Sequence, residues 1–205
     1  MNRELYLCSL LMLAVFAGMI WYLADYVSSN QEALFNNSYN SQQRVLAQEN
    51  TRGTIYAGTG EVLAQTVIAE DGTSVREYPY KNIFAHVVGY TDKGKTGIEE
   101  LENYQLIHSD ISDREKLDHE LAGEKNPGND VYTTPDTSLQ QAASDALGLY
   151  RGAIVVTEVK TGRVLAMVSK PDYDPNKIAE NWETLSTDKD KACLLYTSPS
   201  PRDAH

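Results

Sequence analysis

The sequence predicts an α+β fold preceded by a membrane-spanning helix, and three segments carry that prediction. Leu5–Leu23 is a run of 19 residues without a charge. Residues 139–150 repeat small and apolar side chains at helical spacing. Residues 153–169 are two apolar, β-branched runs joined by a glycine turn.

The elements follow in order. At about 1.5 Å per residue, Leu5–Leu23 covers roughly 28 Å, close to the hydrocarbon core of a bilayer. A cleaved signal peptide would have a shorter apolar region and a small-x-small cleavage site. Here Trp21-Tyr22 closes the segment as an interfacial aromatic belt does. An uncleaved anchor over residues 5–24 is expected, with residues 1–4 on the cytoplasmic side. Arg3 lies on that short side and Asp25 is the first charge beyond, so the bulk should face outward. Residues 25–51, rich in Asn, Gln and Ser, read as a juxtamembrane linker with some helix. Thr54–Ala64 reads as a hairpin around Gly58-Thr59-Gly60, Ser74–Pro79 and Phe84–Tyr90 as short strands, and Ile98–Leu106 as a helix. Ser109–Asn129 is charged and ends in the turn cluster Asn126-Pro127-Gly128-Asn129, a plausible boundary.

In the second half, Leu139, Ala142, Ala143, Ala146, Leu147 and Tyr150 fall on one helical face. Thr137…Gln140 or Ser138…Gln141 would supply a capping box. The three alanines would permit close approach to a sheet. Ala153–Val159 and Arg163–Ser169 then form a hairpin about Lys160-Thr161-Gly162. Both alternate sets of the first run are largely apolar, Ala153, Val155 and Val159 against Ile154 and Val156, the pattern of a central strand covered on both faces.

Lys+Arg 18 against Asp+Glu 29 gives a net charge of −11 over 205 residues. An acidic chain argues against nucleic acid as a partner, because phosphate binding relies on a basic surface. The two cysteines are Cys8, in the apolar segment, and Cys193, near the end, so no disulfide is expected. His86 sits in the apolar run Phe84–Val88 and reads as a core residue; His108, His119 and His205 are isolated. No spacing suggests a metal or a cofactor site.

The hairpin and its sequel, Arg151–Asn176, resemble the opening of the penicillin-binding transpeptidase domain. Pro171-Asp172-Tyr173-Asp174-Pro175-Asn176 is the string that ties the hairpin to peptidoglycan synthases. Upstream, Arg52-Gly53-Thr54-Ile55 and Gly60-Glu61-Val62-Leu63-Ala64 look like the start of class B penicillin-binding proteins, the monofunctional transpeptidases. Arg76-Glu77-Tyr78-Pro79, Val88-Gly89-Tyr90 and Gly97-Ile98-Glu99 follow in the family's order. Gly128-Asn129-Asp130-Val131, Asp136 and Leu139-Gln140 continue the series. Two positions depart from it. The family often has Asp-Arg-Asn-Gly where this chain has Ala57-Gly58-Thr59-Gly60, and Pro135 stands where a branched apolar residue is usual.

The resemblance implies an organisation: residues 52–135 as the α+β pedestal, often called the dimerisation domain, and residues 136–192 as the start of a transpeptidase domain. It implies a serine that attacks the D-Ala–D-Ala carbonyl of a peptidoglycan stem peptide and is trapped by β-lactams. It also implies partner proteins of cell-wall synthesis, and a role in division or elongation. Two rivals remain: a non-catalytic membrane-anchored cell-wall scaffold, and a β-lactam-sensing or hydrolysing serine enzyme. The latter usually lacks such a pedestal.

The family's chemistry rests on Ser-x-x-Lys, then Ser-x-Asn, then Lys-Thr-Gly. Serine needs a neighbouring group to take its proton, and a desolvated lysine one helical turn along can do so. All three strings occur here as decoys: Ser28-Ser29-Asn30, Lys160-Thr161-Gly162 and Ser186-Thr187-Asp188-Lys189 are in the wrong order. Ser186 also lies in a polar, acidic stretch instead of opening an apolar helix. No catalytic residue is identifiable. Residues 193–205, from Cys193 through Ser198-Pro199-Ser200-Pro201 to His205, look like a translated sequencing adapter. The expectation is therefore an inactive amino-terminal fragment whose parent continues past about Ala192.

Overall fold

The computed structural model describes residues 2–30, 34, 42–69 and 73–187. The adapter-like residues 193–205 and Lys189 lie outside them. The chain divides into two compact units, Met1–Arg44 and Val45–His205. The first unit contains α1 (Asn2–Ser29), a helix of 28 residues. Its stretch Tyr6–Ser29 has a mean hydropathy of 2.2 and is long and apolar enough to cross a membrane.

The second unit opens within α2 (Gln42–Glu49) and continues with the two-residue strand β1 (Asn50–Thr51). Strands β2 (Ile55–Tyr56) and β3 (Val62–Ile68) pair antiparallel, the hairpin the glycines at 58 and 60 predict. Strand β4 (Ser74–Glu77) extends it, with Val75 opposite Val67.

Phe84–Tyr90 is not a strand. Ala85–Val88 forms the single-turn helix α3, preceded by the 3₁₀ turn Lys81–Ile83. Phe84, Ala85, Val87 and Val88 are all buried, and their spacing of one, three and four is helical. A short unbroken apolar run cannot choose between strand and helix by itself. Gly89 decides it: its φ of +84° ends the helix, and a Cβ there would lie 1.9 Å from the Thr96 carbonyl oxygen.

Ile98–Leu106 is helical in two pieces, α4 (Gly97–Leu101) and α5 (Asn103–Ile107), broken at Glu102. The charged stretch beyond holds a helix, α6 (Asp113–Ala122), which the composition hid. Ser112 and Glu115 close a capping box at its start and Gly123 ends it in the left-handed conformation. The turn cluster at 126–129 runs back beside the start of the unit. Strand β5 (Asn126–Pro127) pairs parallel with β1, and β6 (Val131–Tyr132) pairs parallel with β2. Ile55, Leu63, Tyr78, Phe84, Val88 and Leu106 form the core of this part.

Helix α7 (Thr137–Leu147) and the hairpin β7 (Gly152–Thr157)/β8 (Val164–Lys170) complete the second half, with the 3₁₀ turn Pro175–Lys177 and α8 (Ile178–Thr187) after them. Three expectations change here. The cap of α7 is Asp136, whose carboxylate accepts from the Ser138 and Leu139 amides, so neither proposed capping box is used. The buried face is Gln140, Ala143 and Ser144, shifted from the expected stripe; Leu139, Ala142, Ala146 and Tyr150 are exposed. Gln140 explains the shift. Its amide donates to the Ile83 and Met167 carbonyls and accepts from the Met167 amide, each at 2.8 Å, so a polar side chain is fully satisfied inside. Third, β7 is not covered on both faces: Val155 is exposed, and among the described residues β7 pairs with β8 alone. The better buried strand is β8, through Ala166 and Val168.

Candidate functional site

The family-like strings of the first half converge on one buried carboxylate. Glu99 is 0% exposed, and both its oxygens are taken by guanidinium groups. Arg52 Nε donates to Oε2 at 2.6 Å, and Arg76 Nε donates to Oε1 at 2.8 Å. Arg52 also donates to the Glu99 carbonyl at 2.6 Å and to Asn103 Oδ1 at 2.9 Å. Arg76 Nη1 reaches the Gly53 carbonyl at 2.7 Å and Thr66 Oγ1 at 3.1 Å. The Tyr78 hydroxyl donates to Glu99 at 3.3 Å, and burial pushes that phenol well above its ordinary range. One carboxylate thus serves two guanidiniums, and Arg76 Nη2 has no hydrogen-bond partner among the described residues.

The string Asp174-Pro175-Asn176 makes a second junction. Asp174 caps its 3₁₀ turn, accepting from the Asn176 amide. The Asn176 side chain then accepts from the Tyr78 amide at 2.9 Å and donates to the Tyr78 carbonyl at 3.0 Å. It completes the backbone of Tyr78 as a paired strand would. Beside it, Tyr173 donates to the Ala85 carbonyl at 2.8 Å and Asn82 donates to Asp172 at 2.9 Å. His86 is half-buried, in contact with the Pro171 carbonyl at 3.2 Å and edge-on to Tyr173. Burial lowers its pKa. The sequence names these residues as motif letters; their contacts span 85–98 positions, and no periodicity links them.

The two departures from the family pattern face each other. The Gly58 amide donates to the Pro135 carbonyl at 2.8 Å. A Cβ at position 58 would lie 2.6 Å from the Thr134 carbonyl oxygen. The segments around residues 58 and 134 run side by side at this point, and only a glycine clears the backbone opposite.

The decoy strings fall on separate elements. Ser28 and Ser29 end α1 in the first unit, and Ser186 lies in the last turn of α8 in the second. Lys160-Thr161-Gly162 is the hairpin turn, where Thr161 and Arg163 both donate to Glu158. Among the described residues no group of three or more His, Cys, Asp or Glu side chains is placed to hold a metal ion. One pocket of about 310 Å³ opens beside Arg52, bordered by Thr66, His119, Lys125 and Asp130.

The buried Arg–Glu–Arg node inside the α+β part, and the Asn176 clamp that ties the second half to Tyr78, are both built from the strings that resemble penicillin-binding transpeptidases. Residues 52–131 match the penicillin binding protein A dimerisation domain, and residues 152–193 match the penicillin binding protein transpeptidase domain. The peptidoglycan D,D-transpeptidase PbpA of Mycolicibacterium smegmatis is 38% identical over 173 residues, 74% of this chain and 35% of that protein. The peptidoglycan D,D-transpeptidase MrdA of Escherichia coli is 31% identical over 163 residues, 63% of this chain and 25% of that protein. Among solved structures, penicillin-binding protein A of M. tuberculosis, as its imipenem acyl-enzyme complex, superposes with a TM-score of 0.61 at 32% identity. That match covers 70% of this chain and 36% of the other. The chain belongs to the class B penicillin-binding proteins. It spans about a third of the length of the curated PbpA relatives it matches.

Proposed function

We propose that the chain is the membrane-proximal part of a peptidoglycan D,D-transpeptidase, with α1 as a single-pass anchor in a bacterial cell membrane and the rest outside the cytoplasm. On this reading residues 52–135 are the pedestal and residues 136–192 the start of the catalytic domain. The whole enzyme uses a serine to attack the D-Ala–D-Ala carbonyl of a stem peptide. D-alanine leaves, and the amine of a neighbouring stem resolves the acyl-enzyme. β-Lactams mimic the dipeptide and stop at the acyl stage. Partner proteins of cell-wall synthesis, in division or elongation, belong to the same reading.

The observation that carries it is the pair of junctions built from the family strings, the Arg52–Glu99–Arg76 node and the Asn176–Tyr78 clamp. These 205 residues hold no ordered Ser-x-x-Lys, Ser-x-Asn and Lys-Thr-Gly series. They should therefore form no covalent penicillin adduct. Incubation with fluorescent penicillin and denaturing electrophoresis tests this. Absence of label is expected, and stoichiometric labelling lost on Ser186→Ala overturns it.

A further inference from the structure

Two guanidinium groups around one carboxylate leave the node with an excess positive charge, and a buried charge without a full complement is costly. Burial and then Arg76 oppose the charge on Arg52, though Glu99 supports it, and the guanidinium pKa is lowered. Lys95 feels the same surroundings: burial first, then Arg52, lower its pKa. Residues 52–131 carry eight Lys or Arg against fifteen Asp or Glu, so a concentration of cations is unusual in this segment.

That excess borders open space. Arg52 forms part of the wall of the 310 Å³ pocket, and Lys125 and His119 stand beside it. Arg52, Gly53 and Thr66, which Arg76 Nη1 engages through two carbonyls and a hydroxyl, are residues of the same wall. Asp130 is the carboxylate among the lining residues, and its Oδ1 accepts from the Thr54 amide at 2.8 Å. His119 Nδ1 lies 3.7 Å from Glu124 Oε2.

We propose that this pocket binds an oxyanion, the phosphate or carboxylate group of a small ligand. Arg52 holds five N–H donors and spends three on Glu99 and Asn103, so two remain beyond those bonds. Lys125 adds a point charge, and His119 a ring nitrogen. The volume lies at the lower end of the range for small-molecule sites. A bound oxyanion would offset the node's surplus charge, so occupancy would stabilise the unit around Glu99. The site stands apart from the transpeptidase reading and is tested without activity.

The experiment is thermal unfolding of the full chain in neutral detergent micelles. It is titrated with inorganic phosphate, with acetate, and with chloride at matched ionic strength. A saturable rise in Tm with phosphate, acetate or both, and none with chloride, is expected. Phosphate alone assigns a phosphoryl ligand, acetate alone a carboxylate, and both a pocket open to either. Lys125 is exposed, so Lys125→Ala leaves folding intact; it should weaken the apparent affinity about tenfold, the loss of one charge-assisted hydrogen bond. A chloride response equal to the others, no response to any anion, or unchanged affinity in Lys125→Ala overturns the proposal.

Discussion

Glu99 shows what a single side chain carries here. It is fully buried, holds two arginines that are 13% and 8% exposed, and accepts from Tyr78. Removing one partner of a buried ion pair costs about 3–5 kcal/mol, because the other charge is left without compensation. Glu99→Ala leaves two guanidiniums stranded, and should destabilise the second unit by at least that much. Urea unfolding of the chain in detergent, followed by tryptophan fluorescence from Trp182, measures it; a loss below about 1 kcal/mol would mean that the node is solvent-relaxed. Arg52, Arg76 and Glu99 were each visible in the sequence as members of a series. That they form one contact was not, since they are 23–47 positions apart and meet only in the folded unit. Buried charge leaves no periodic trace.

At the scale of elements, legibility followed the length of the pattern. The hairpins β2/β3 and β7/β8 and the helix at 137–147 stand where turn residues and period place them. The single-turn α3 was misread as a strand because four apolar residues hold too little period to decide. Helix α6 was missed although Ser112, Glu115 and Gly123 spell its two ends, because a charged face with no buried residue gives no apolar stripe. The register of α7 was misplaced because its inward residues include Gln140 and Ser144, which polarity assigns to the surface. Its cap makes a pH prediction. Hydrogen bonds from the Ser138 hydroxyl, then the Leu139 amide, hold the Asp136 carboxyl below its ordinary value of 3.8. A carboxyl depressed in the folded state stabilises above its unfolded pKa, and that contribution is lost as pH falls through the folded pKa. Amide exchange in the first turn of α7 should accelerate relative to other helices as pH drops below about 4. Asp136→Asn keeps a side-chain cap and should flatten that dependence. An unchanged profile in the variant would assign the acid sensitivity elsewhere.

For the whole molecule, the apolar helix was the easiest element to read, and its length in the structure exceeds the 19-residue core of the run. With α1 as an anchor and Arg3 on the short side, a reporter that works only outside the cytoplasm, fused after Ala192, should be active. Silence there, with activity of a cytoplasm-only reporter at the same junction, would invert the topology. The second half is less self-sufficient than the pedestal. Val155, Val159, Leu149 and Tyr150 remain exposed on and around a two-stranded sheet, a large apolar surface for a chain of this size.

The parallel pairs β1/β5 and β2/β6 have a mechanical consequence. Residues 50–56 follow α1 and α2 along the chain, and residues 126–132 lead into α7. Pulling on the chain before residue 50 and after residue 132 draws these neighbours in opposite directions along their own axes. The hydrogen bonds between them, among them the Val131 amide to the Thr54 carbonyl at 2.8 Å and the Thr133 amide to the Tyr56 carbonyl at 2.9 Å, are loaded in shear and share the force. A hairpin pulled from one end would instead open one rung at a time. Tension between anchor and hairpin is therefore carried across a few short rungs, while the β3/β4 hairpin and α3–α6 hang beside the load path and bear little of it.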